Sequence, residues 1–159
     1  WILDASPIRA FGTGGQKGRS IGNCWDYFSV TFTFPQNTVV TFHSKQYGRG
    51  VDDICCRMYG TEGTIDTHYF ADVSIRGKTP YEGGKVDNLY TNGAIRNIAA
   101  FADCVMQAQY SNATVAPSVR SNLTTILGRT AAYRRSEVTW EEVIEAGERL
   151  DPKLTGLKD

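Results

Sequence analysis

Two amphipathic helices, predicted within residues 91–133, constrain the fold more than any other feature, because most of the sequence before them has strand patterns. Their apolar residues recur at spacings of three and four, which places them on one stripe of each helix. The first stripe consists of Ile95, Ile98, Phe101, Ala102, Val105 and Met106, and the second of Val119, Leu123, Ile126, Leu127, Thr130 and Ala131. Such a stripe requires an apolar partner surface, so we expect both helices to pack on one face of a sheet formed by residues 6–76.

The clearest strand pattern is a hairpin within residues 25–47, where apolar residues alternate with serine, threonine and charged residues. The register that matches apolar residues across the hairpin aligns Phe32 with Phe42. It also aligns Phe34 with Val40, around a three-residue loop. The same register places a polar stripe on the opposite face, which consists of Ser29, Thr31, Thr33, Thr41, His43 and Lys45. Because the helices can cover only the apolar face, we expect this polar stripe to face solvent, a ligand or another protein surface.

A second hairpin is predicted further along the chain. Residues 54–59 alternate between apolar and polar side chains, residues 60–63 have the composition of a turn, and residues 64–70 continue as a strand. After the helix pair, Thr139 and Glu142 have the spacing of a capping box, which predicts the start of a third helix. Strands followed by helices indicate an α+β domain.

Composition argues against two classes of partner. Seventeen basic residues balance seventeen acidic ones, and no basic run exceeds the pair Arg134 and Arg135. The positive surface of a nucleic-acid or anionic-membrane binder is therefore not indicated. The apolar runs are also far shorter than the roughly 20 residues that cross a bilayer. We expect no nucleic-acid partner and no membrane partner, and a single domain, since 159 residues suffice for one core.

The cysteines and histidines do not predict a metal site. The four cysteines, Cys24, Cys55, Cys56 and Cys104, lack the spacing of a C-x-x-C motif. The two histidines, His43 and His68, do not supply zinc ligands at a familiar spacing either. We therefore expect buried thiols in a reducing compartment, no bound metal, and a cytoplasmic protein.

The first 23 residues of the sequence lead to two further expectations. Residues 12–23 form a glycine-rich polar segment, which we interpret as a connection between strands. It lacks the Gly-x-Gly-x-x-Gly and Walker spacings, and no predicted helix follows it, so we expect no cofactor-binding residue in this chain. The sequence starts at Trp1 without a methionine or a signal-peptide pattern, from which we expect it to be part of a longer protein.

Four segments carry a resemblance to a known family. They are Tyr-Gly-Thr-Glu-Gly-Thr at 59–64, Asn-Ile-Ala-Ala-Phe at 97–101, the second helix at 115–133, and Val-Thr-Trp-Glu-Glu at 138–142. Together they resemble the C-terminal domain of the Gfo/Idh/MocA oxidoreductases, and the match covers nearly the whole chain. The resemblance implies a dihydrodipicolinate-reductase-like α+β domain, in which an open, largely antiparallel sheet has helices packed on one face.

The resemblance also implies a function. Members of that family bind NAD or NADP in an N-terminal Rossmann domain, and the α+β domain contributes to substrate binding and oligomer contacts. Residues 1–159 then correspond to a single C-terminal substrate and oligomerisation domain of an oxidoreductase acting on a sugar, cyclitol or related polyol. The Rossmann domain and the catalytic lysine of its Glu-Lys-Pro motif are absent from this chain, and the His and Asp of the second motif are expected upstream of Trp1. We therefore expect no catalytic residue here and no activity from this chain alone.

The expected partners follow from the same resemblance: the protein's own Rossmann domain, a polyol or sugar substrate, and a second copy bound through the open sheet face. The substrate-binding candidates are Lys45, His43, Arg57 and Thr31. The simpler interpretation of these residues is a solvated sheet surface, since small polar and β-branched residues suit an exposed strand. Two other functions stay open, namely a non-enzymatic module that only dimerises through its sheet and an NAD-dependent glycosidase of the same superfamily.

Overall fold

The computed structural model describes residues 2–48, 50, 53–69, 72–85 and 87–149. Its elements are β1 Arg9–Gly15, β2 Tyr27–Thr33, β3 Val39–Lys45, β4 Cys55–Tyr59, β5 Gly63–His68, β6 Asp72–Gly77, β7 Tyr81–Lys85, α1 Leu89–Met106, α2 Val115–Arg134, β8 Val138–Thr139 and α3 Trp140–Ala146. The α+β class with antiparallel strands is confirmed.

The chain divides into two compact units, one formed by residues 1–48 and 113–159 and the other by residues 49–112. Each unit has its own four-stranded sheet, in place of the single sheet expected from residues 6–76.

The first unit is built on a sheet in the order β3-β2-β1-β8, and α2 packs on one face of it. The contact is close because Gly128 faces the ring of Phe32, and a methyl group at Gly128 would lie 2.6 Å from Phe32 Cζ. Alternate residues of β1 and β2 point toward the helix, which is the period of a half-buried strand. The buried apolar core consists of Ala10, Val30, Phe32, Phe34, Leu127, Ala131, Ala132 and Val138.

The glycine-rich segment begins as a strand rather than as a loop. Its first part belongs to β1, which pairs along its whole length with β2 and places Gly14 opposite Phe28. A side chain at Gly14 would collide with the carbonyl oxygen of Tyr27, so the close approach of the two strands requires glycine there. Because glycine weakens the sequence pattern of a strand, the expected connection between strands starts too early.

The first hairpin lies where the sequence predicts it, but the predicted register is wrong by two residues. Phe32 pairs with Val40 rather than with Phe42, and Phe42 pairs with Val30. The reason is the turn: β2 ends at Thr33, and a short 3-10 turn at Pro35–Asn37 contains a residue with a left-handed backbone. A shift of two residues keeps every side chain on its predicted face. Phe42 nevertheless lies outside the core and is 48% exposed.

The apolar stripe of the first predicted helix is not buried. The helix forms as α1, but its residues Ile95, Ile98, Phe101, Val105 and Met106 are 59–75% exposed. This helix belongs to the unit of residues 49–112, whereas the sheet that α2 covers belongs to the other unit. Helical spacing predicts an apolar face but does not identify the surface beside it, which is why the burial of this stripe is predicted wrongly.

The second unit has a sheet in the order β4-β5-β6-β7. The predicted turn at residues 60–63 is confirmed, and the backbone N–H of Gly60 donates to the carbonyl of Gly63 at 2.8 Å. The pairs across β4, β5 and β6 separate the side chains by face. One face carries Met58, Ile65 and Ile75 in a row, and the other carries Arg57, Asp66 and Ser74. The alternation predicted for residues 54–59 is therefore correct.

The third helix starts where the sequence predicts it. The capping box is confirmed, since Thr139 Oγ1 accepts from the N–H of Glu142 and the N–H of Thr139 donates to the Glu142 carboxylate.

The four cysteines are free thiols, but the expectation that they are buried is wrong for Cys24 and Cys56, which are exposed. No helix within the described part of the chain has both the length and the apolar character that a bilayer crossing requires.

Candidate functional site

The face of the first sheet that lies opposite α2 is mostly polar, and we call it the open face. Because directly paired residues share a face, Phe11, Thr31 and Thr41 form one row across three strands. The open face consists of Arg9, Phe11 and Thr13 on β1, Tyr27, Ser29, Thr31 and Thr33 on β2, and Val39, Thr41, His43 and Lys45 on β3. The polar stripe predicted from the sequence is therefore a surface of the first unit.

Three of the four predicted substrate-binding residues lie on the open face. Thr31, His43 and Lys45 are exposed, and they occupy neighbouring strands β2 and β3. Their partners differ from the predicted ones by the same two-residue shift, so that His43 lies beside Ser29 and Lys45 beside Tyr27. Among the described residues neither His43 nor Lys45 forms an ion pair. Their hydrogen-bonding atoms are consequently available to a ligand.

Arg57 is not part of that surface. It lies on β4 in the second unit, where Cys55 pairs with His68 and Arg57 pairs with Asp66 across the β4–β5 hairpin. Asp53 precedes Cys55 by two residues and joins the same group. We call Asp53, Cys55, Arg57, Asp66 and His68 the hairpin cluster. The predicted set of four substrate-binding residues is thus divided between the two units.

Arg57 organises the hairpin cluster. Its Nε donates to Asp66 Oδ2 at 2.9 Å, and its Nη2 lies 2.8 Å from His68 Nε2. The hydrogen bond and charge of Asp66 raise the pKa of Arg57, which stays a cation. A guanidinium group can only donate, so His68 Nε2 accepts, and this assigns the ring proton to Nδ1. His68 Nε2 is therefore directed into the cluster as an acceptor.

The Cys55 thiol and the Asp66 carboxylate complete the hairpin cluster, and the thiol is hydrogen-bonded to Asp53. Burial raises the pKa of the Cys55 thiol, and the carboxylates of Asp53 and Asp66 act in the same direction against the opposing charge of Arg57. The thiol therefore stays protonated at neutral pH and is a poor nucleophile. Asp66 Oδ1 is buried and accepts no hydrogen bond from any residue that the structure describes, although it lies 3.9 Å from His68 Nε2.

Asp53, Cys55 and Asp66 are site residues that the sequence patterns above do not predict. A usable signal is nonetheless present in the sequence. The turn at residues 60–63 fixes which residues face each other across the second hairpin, and the spacing of two within each strand then brings the charged residues to one face.

The segment of residues 24–26, just before β2, has a structural role. Trp25 stacks on Tyr133 with ring centroids 4.2 Å apart, which ties the start of β2 to α2. Asp26 is buried and accepts backbone hydrogen bonds from Lys17, Gly18 and Arg19. Burial alone would raise the pKa of Asp26, but these hydrogen bonds together lower it below its ordinary value. The carboxylate therefore holds the loop before β2 in place.

No protein-family model and no curated protein sequence matches the chain. Solved structures do resemble it. A proposed oxidoreductase from Thermotoga maritima has a TM-score of 0.59 at 18% sequence identity, over 87% of this chain and 42% of that one. The aldose-aldose oxidoreductase from Caulobacter crescentus, in complex with glycerol, has a TM-score of 0.63 at 12% identity, over 85% of this chain and 42% of that one. The chain thus spans less than half the length of both neighbours and shares the fold of that part.

Proposed function

We propose that this chain is the substrate-binding and assembly domain of an NAD(P)-dependent oxidoreductase of the Gfo/Idh/MocA type, acting on a sugar, cyclitol or related polyol. The supporting observation is that its α+β fold resembles part of two oxidoreductases, one of which is an aldose-aldose oxidoreductase in complex with glycerol. The segment resemblances in the sequence point to the same family. Because both neighbours are more than twice as long as the match, the activity belongs to a longer protein.

The glycine-rich segment at the start of the chain does not have the geometry of a dinucleotide fingerprint. A dinucleotide fingerprint needs a glycine-rich turn between a strand and the N-terminus of a helix. Here Gly12, Gly14 and Gly15 lie within β1 and pair with β2, so their backbone atoms belong to the sheet. NAD or NADP, which accepts a hydride from the substrate, is therefore assigned to another domain of the longer protein, as the family resemblance implies.

The open face suits a polyhydroxylated ligand. Neighbouring strands lie about 4.8 Å apart and residues on one face of a strand repeat at about 6.6 Å, so the hydroxyl groups of Ser29, Thr31 and Thr41 form a regular grid. His43 and Lys45 add a ring nitrogen and an ammonium group at one end of this grid. Phe11 offers an apolar ring beside Thr31, against which the C–H face of a sugar can pack. The role of these residues is to bind and orient the substrate.

Equilibrium binding to a panel of glucose, myo-inositol and glycerol tests this proposal. We expect weak but saturable binding to the wild type and at least a tenfold loss in Thr31→Arg combined with Thr41→Arg, which fills the grid with two long side chains. Thr125→Arg, an exposed threonine on α2, is the matched control and should leave binding unchanged. Titration with NAD and NADP should give no binding. Micromolar binding of either dinucleotide, or equal polyol binding by all three proteins, would contradict the proposal.

A second candidate function is dimerisation through the open face. It is favoured by two apolar side chains on that face, Phe11 and Val39, which are 56% and 59% exposed. The face can pair with a copy of itself across a two-fold axis, although Lys45 repels its own copy unless it is set off the axis. Sedimentation at several concentrations measures this association. The Thr31→Arg and Thr41→Arg double variant should dissociate, and an equally strong dimer would place the interface elsewhere.

A further inference from the structure

The hairpin cluster combines three kinds of donor atom in a small space. Asp53, Cys55 and His68 bring an oxygen, a sulfur and a nitrogen within 4.8 Å of one another. We propose that this cluster is a binding site for a divalent transition-metal ion, with Zn²⁺ as the best match. Its ligands are Cys55 Sγ, His68 Nε2 and the Asp53 carboxylate, and Asp66 Oδ1 supplies the fourth. The inference is independent of the substrate and of the proposed function.

The distances are close to those of a tetrahedral site. Zinc bonds of about 2.0–2.3 Å give a tetrahedron whose edges are about 3.3–3.7 Å. His68 Nε2 lies 3.3 Å from Asp53 Oδ1 and 3.9 Å from Asp66 Oδ1. The ligand atoms of Asp53, Cys55 and His68 lie within 4.8 Å of one another, so the proposed coordination requires the Cys55 and Asp53 side chains to rotate toward the ion.

The backbone positions two of the proposed ligands, Cys55 and His68, in the absence of an ion. Cys55 and His68 are direct partners at one end of the β4–β5 hairpin, so their side chains share a face of the sheet. Both are half-buried, whereas Asp53 lies before the strand and is exposed, which leaves a path for the ion from solvent. A site on paired strands is more precisely held than one on a loop.

Arg57 would compete with a metal ion for the ligands of this cluster, because its guanidinium group carries the positive charge there. A bound ion would displace the hydrogen bond between Arg57 Nη2 and His68 Nε2 and the hydrogen bond between the Cys55 thiol and Asp53. Arg57 would keep Asp66 Oδ2 through its Nε and would hold that carboxylate with its other oxygen toward the ion, as an outer-shell partner does. Two carboxylates and a Cys55 thiolate would then balance the guanidinium and a divalent cation.

The donor set also selects the metal. Thiolate and imidazole ligands suit zinc and cobalt, whereas magnesium and calcium prefer sites made only of oxygen. A search for sequence motifs does not find this set of ligands, because they come from two strands that are joined by a turn. Its components, Asp-x-Cys at 53–55 and Asp-x-His at 66–68, are unremarkable when each is taken alone.

Titration with Co²⁺ and Zn²⁺ tests the proposal. Co²⁺ should bind with one-to-one stoichiometry, a thiolate-to-cobalt absorption band and tetrahedral ligand-field bands, and Zn²⁺ should displace it. Cys55→Ser should lose the thiolate band, and His68→Ala should weaken binding by at least about tenfold, the lower bound for losing even an outer-shell partner. Zn²⁺ should raise the melting temperature of the wild type and leave that of Cys55→Ser unchanged. Mg²⁺ should not compete.

The chain contains matched controls for both ligand types. Cys56→Ser changes the adjacent cysteine, which alternates to the other face of β4, and His43→Ala changes the histidine of the first unit. Both should bind like the wild type. Circular dichroism in the presence of a chelator checks that each variant is folded. Asp53→Asn provides a variant outside the paired strands, and it too should bind at least about tenfold more weakly.

Three results would overturn the proposal. The first is no saturable binding by the wild type. The second is a thiolate band that survives Cys55→Ser or disappears in Cys56→Ser, because the sulfur ligand would then be a different cysteine. The third is unchanged affinity in Asp53→Asn. In any of these cases the hairpin cluster is an ion-pair network centred on Arg57 and nothing more.

Discussion

At the level of single residues, Gly128 and Asp26 set the local geometry of the first unit. Gly128 lets the ring of Phe32 reach the backbone of α2, and Asp26 collects three backbone N–H groups from the loop before β2. Both effects depend on a partner that is distant in sequence or separated by a loop. The sequence alone therefore does not identify either role, because only the fold brings these partners together.

Gly128→Ala should destabilise the protein by about 1–3 kcal/mol, because the added methyl group overpacks the contact with Phe32. This loss outweighs the gain in helix propensity, which is at most about 1 kcal/mol. Gly93→Ala is the matched control, since a methyl group there meets nothing within 4 Å, and it should be neutral or stabilising. Urea denaturation of the three proteins measures both effects. A Gly128→Ala variant as stable as Gly93→Ala would show that the ring of Phe32 can move aside.

Asp26→Asn should lower the melting temperature at neutral pH, since an amide replaces the charge that three N–H groups stabilise. The pKa of Asp26 is lower in the folded state than in the unfolded chain, so its contribution is complete above an unfolded-state pKa of about 3.9. The contribution is lost as the pH falls through the lower folded-state value. The wild type and Asp26→Asn should therefore differ in melting temperature at pH 7 and converge in acid, and a difference that is independent of pH would contradict this account. Asp103→Asn, on the exposed surface of α1, is the control.

At the level of elements, faces are easier to predict than registers. Alternation along β2 and β3 correctly separates the core side of the first hairpin from the open face, because a shift of two residues preserves the faces. The register itself depends on the turn at Pro35–Asn37, whose left-handed backbone at Gln36 lies outside the usual preferences of that residue. The second hairpin is better specified, since a turn bounded by Gly60 and Gly63 fixes its pairs. The hairpin cluster was accessible from the sequence for this reason, and the partners of the open face were not.

Phe32→Ala should destabilise the protein by about 3–5 kcal/mol, as expected for truncation of a buried aromatic residue. Phe42→Ala removes the same atoms from the same face of the neighbouring strand, but Phe42 is half-exposed and the loss should be clearly smaller. Thr31→Ala on the open face should cost less than about 1 kcal/mol. The shift in denaturant midpoint at unchanged slope gives all three values. Equal losses for the two phenylalanines would contradict this account, because they would show that Phe42 is buried as fully as Phe32.

At the level of the whole molecule, the two units differ in how much core they have. All the buried apolar residues among those described belong to the first unit, where α2 covers the sheet. The second unit has a sheet whose apolar row is half-buried and a helix whose apolar stripe is exposed. Helix spacing within residues 91–133 predicts both helices correctly, but only tertiary packing decides which stripe is covered. Sequence patterns therefore predict the α+β class and the helices, while the division into two units needed the structure.

The central claim is that the open face of the first sheet is the surface that contacts substrate, and site-resolved NMR titration with a polyol tests it most directly. With myo-inositol, the amide resonances of Thr31, Thr41 and His43 should shift together along one saturation curve. Those of Gly128 and Ala131, on the buried side of α2, should stay in place, because they face the covered side of the same sheet. Shifts confined to α2 or to the second unit, or no shifts at saturating polyol, would contradict the account.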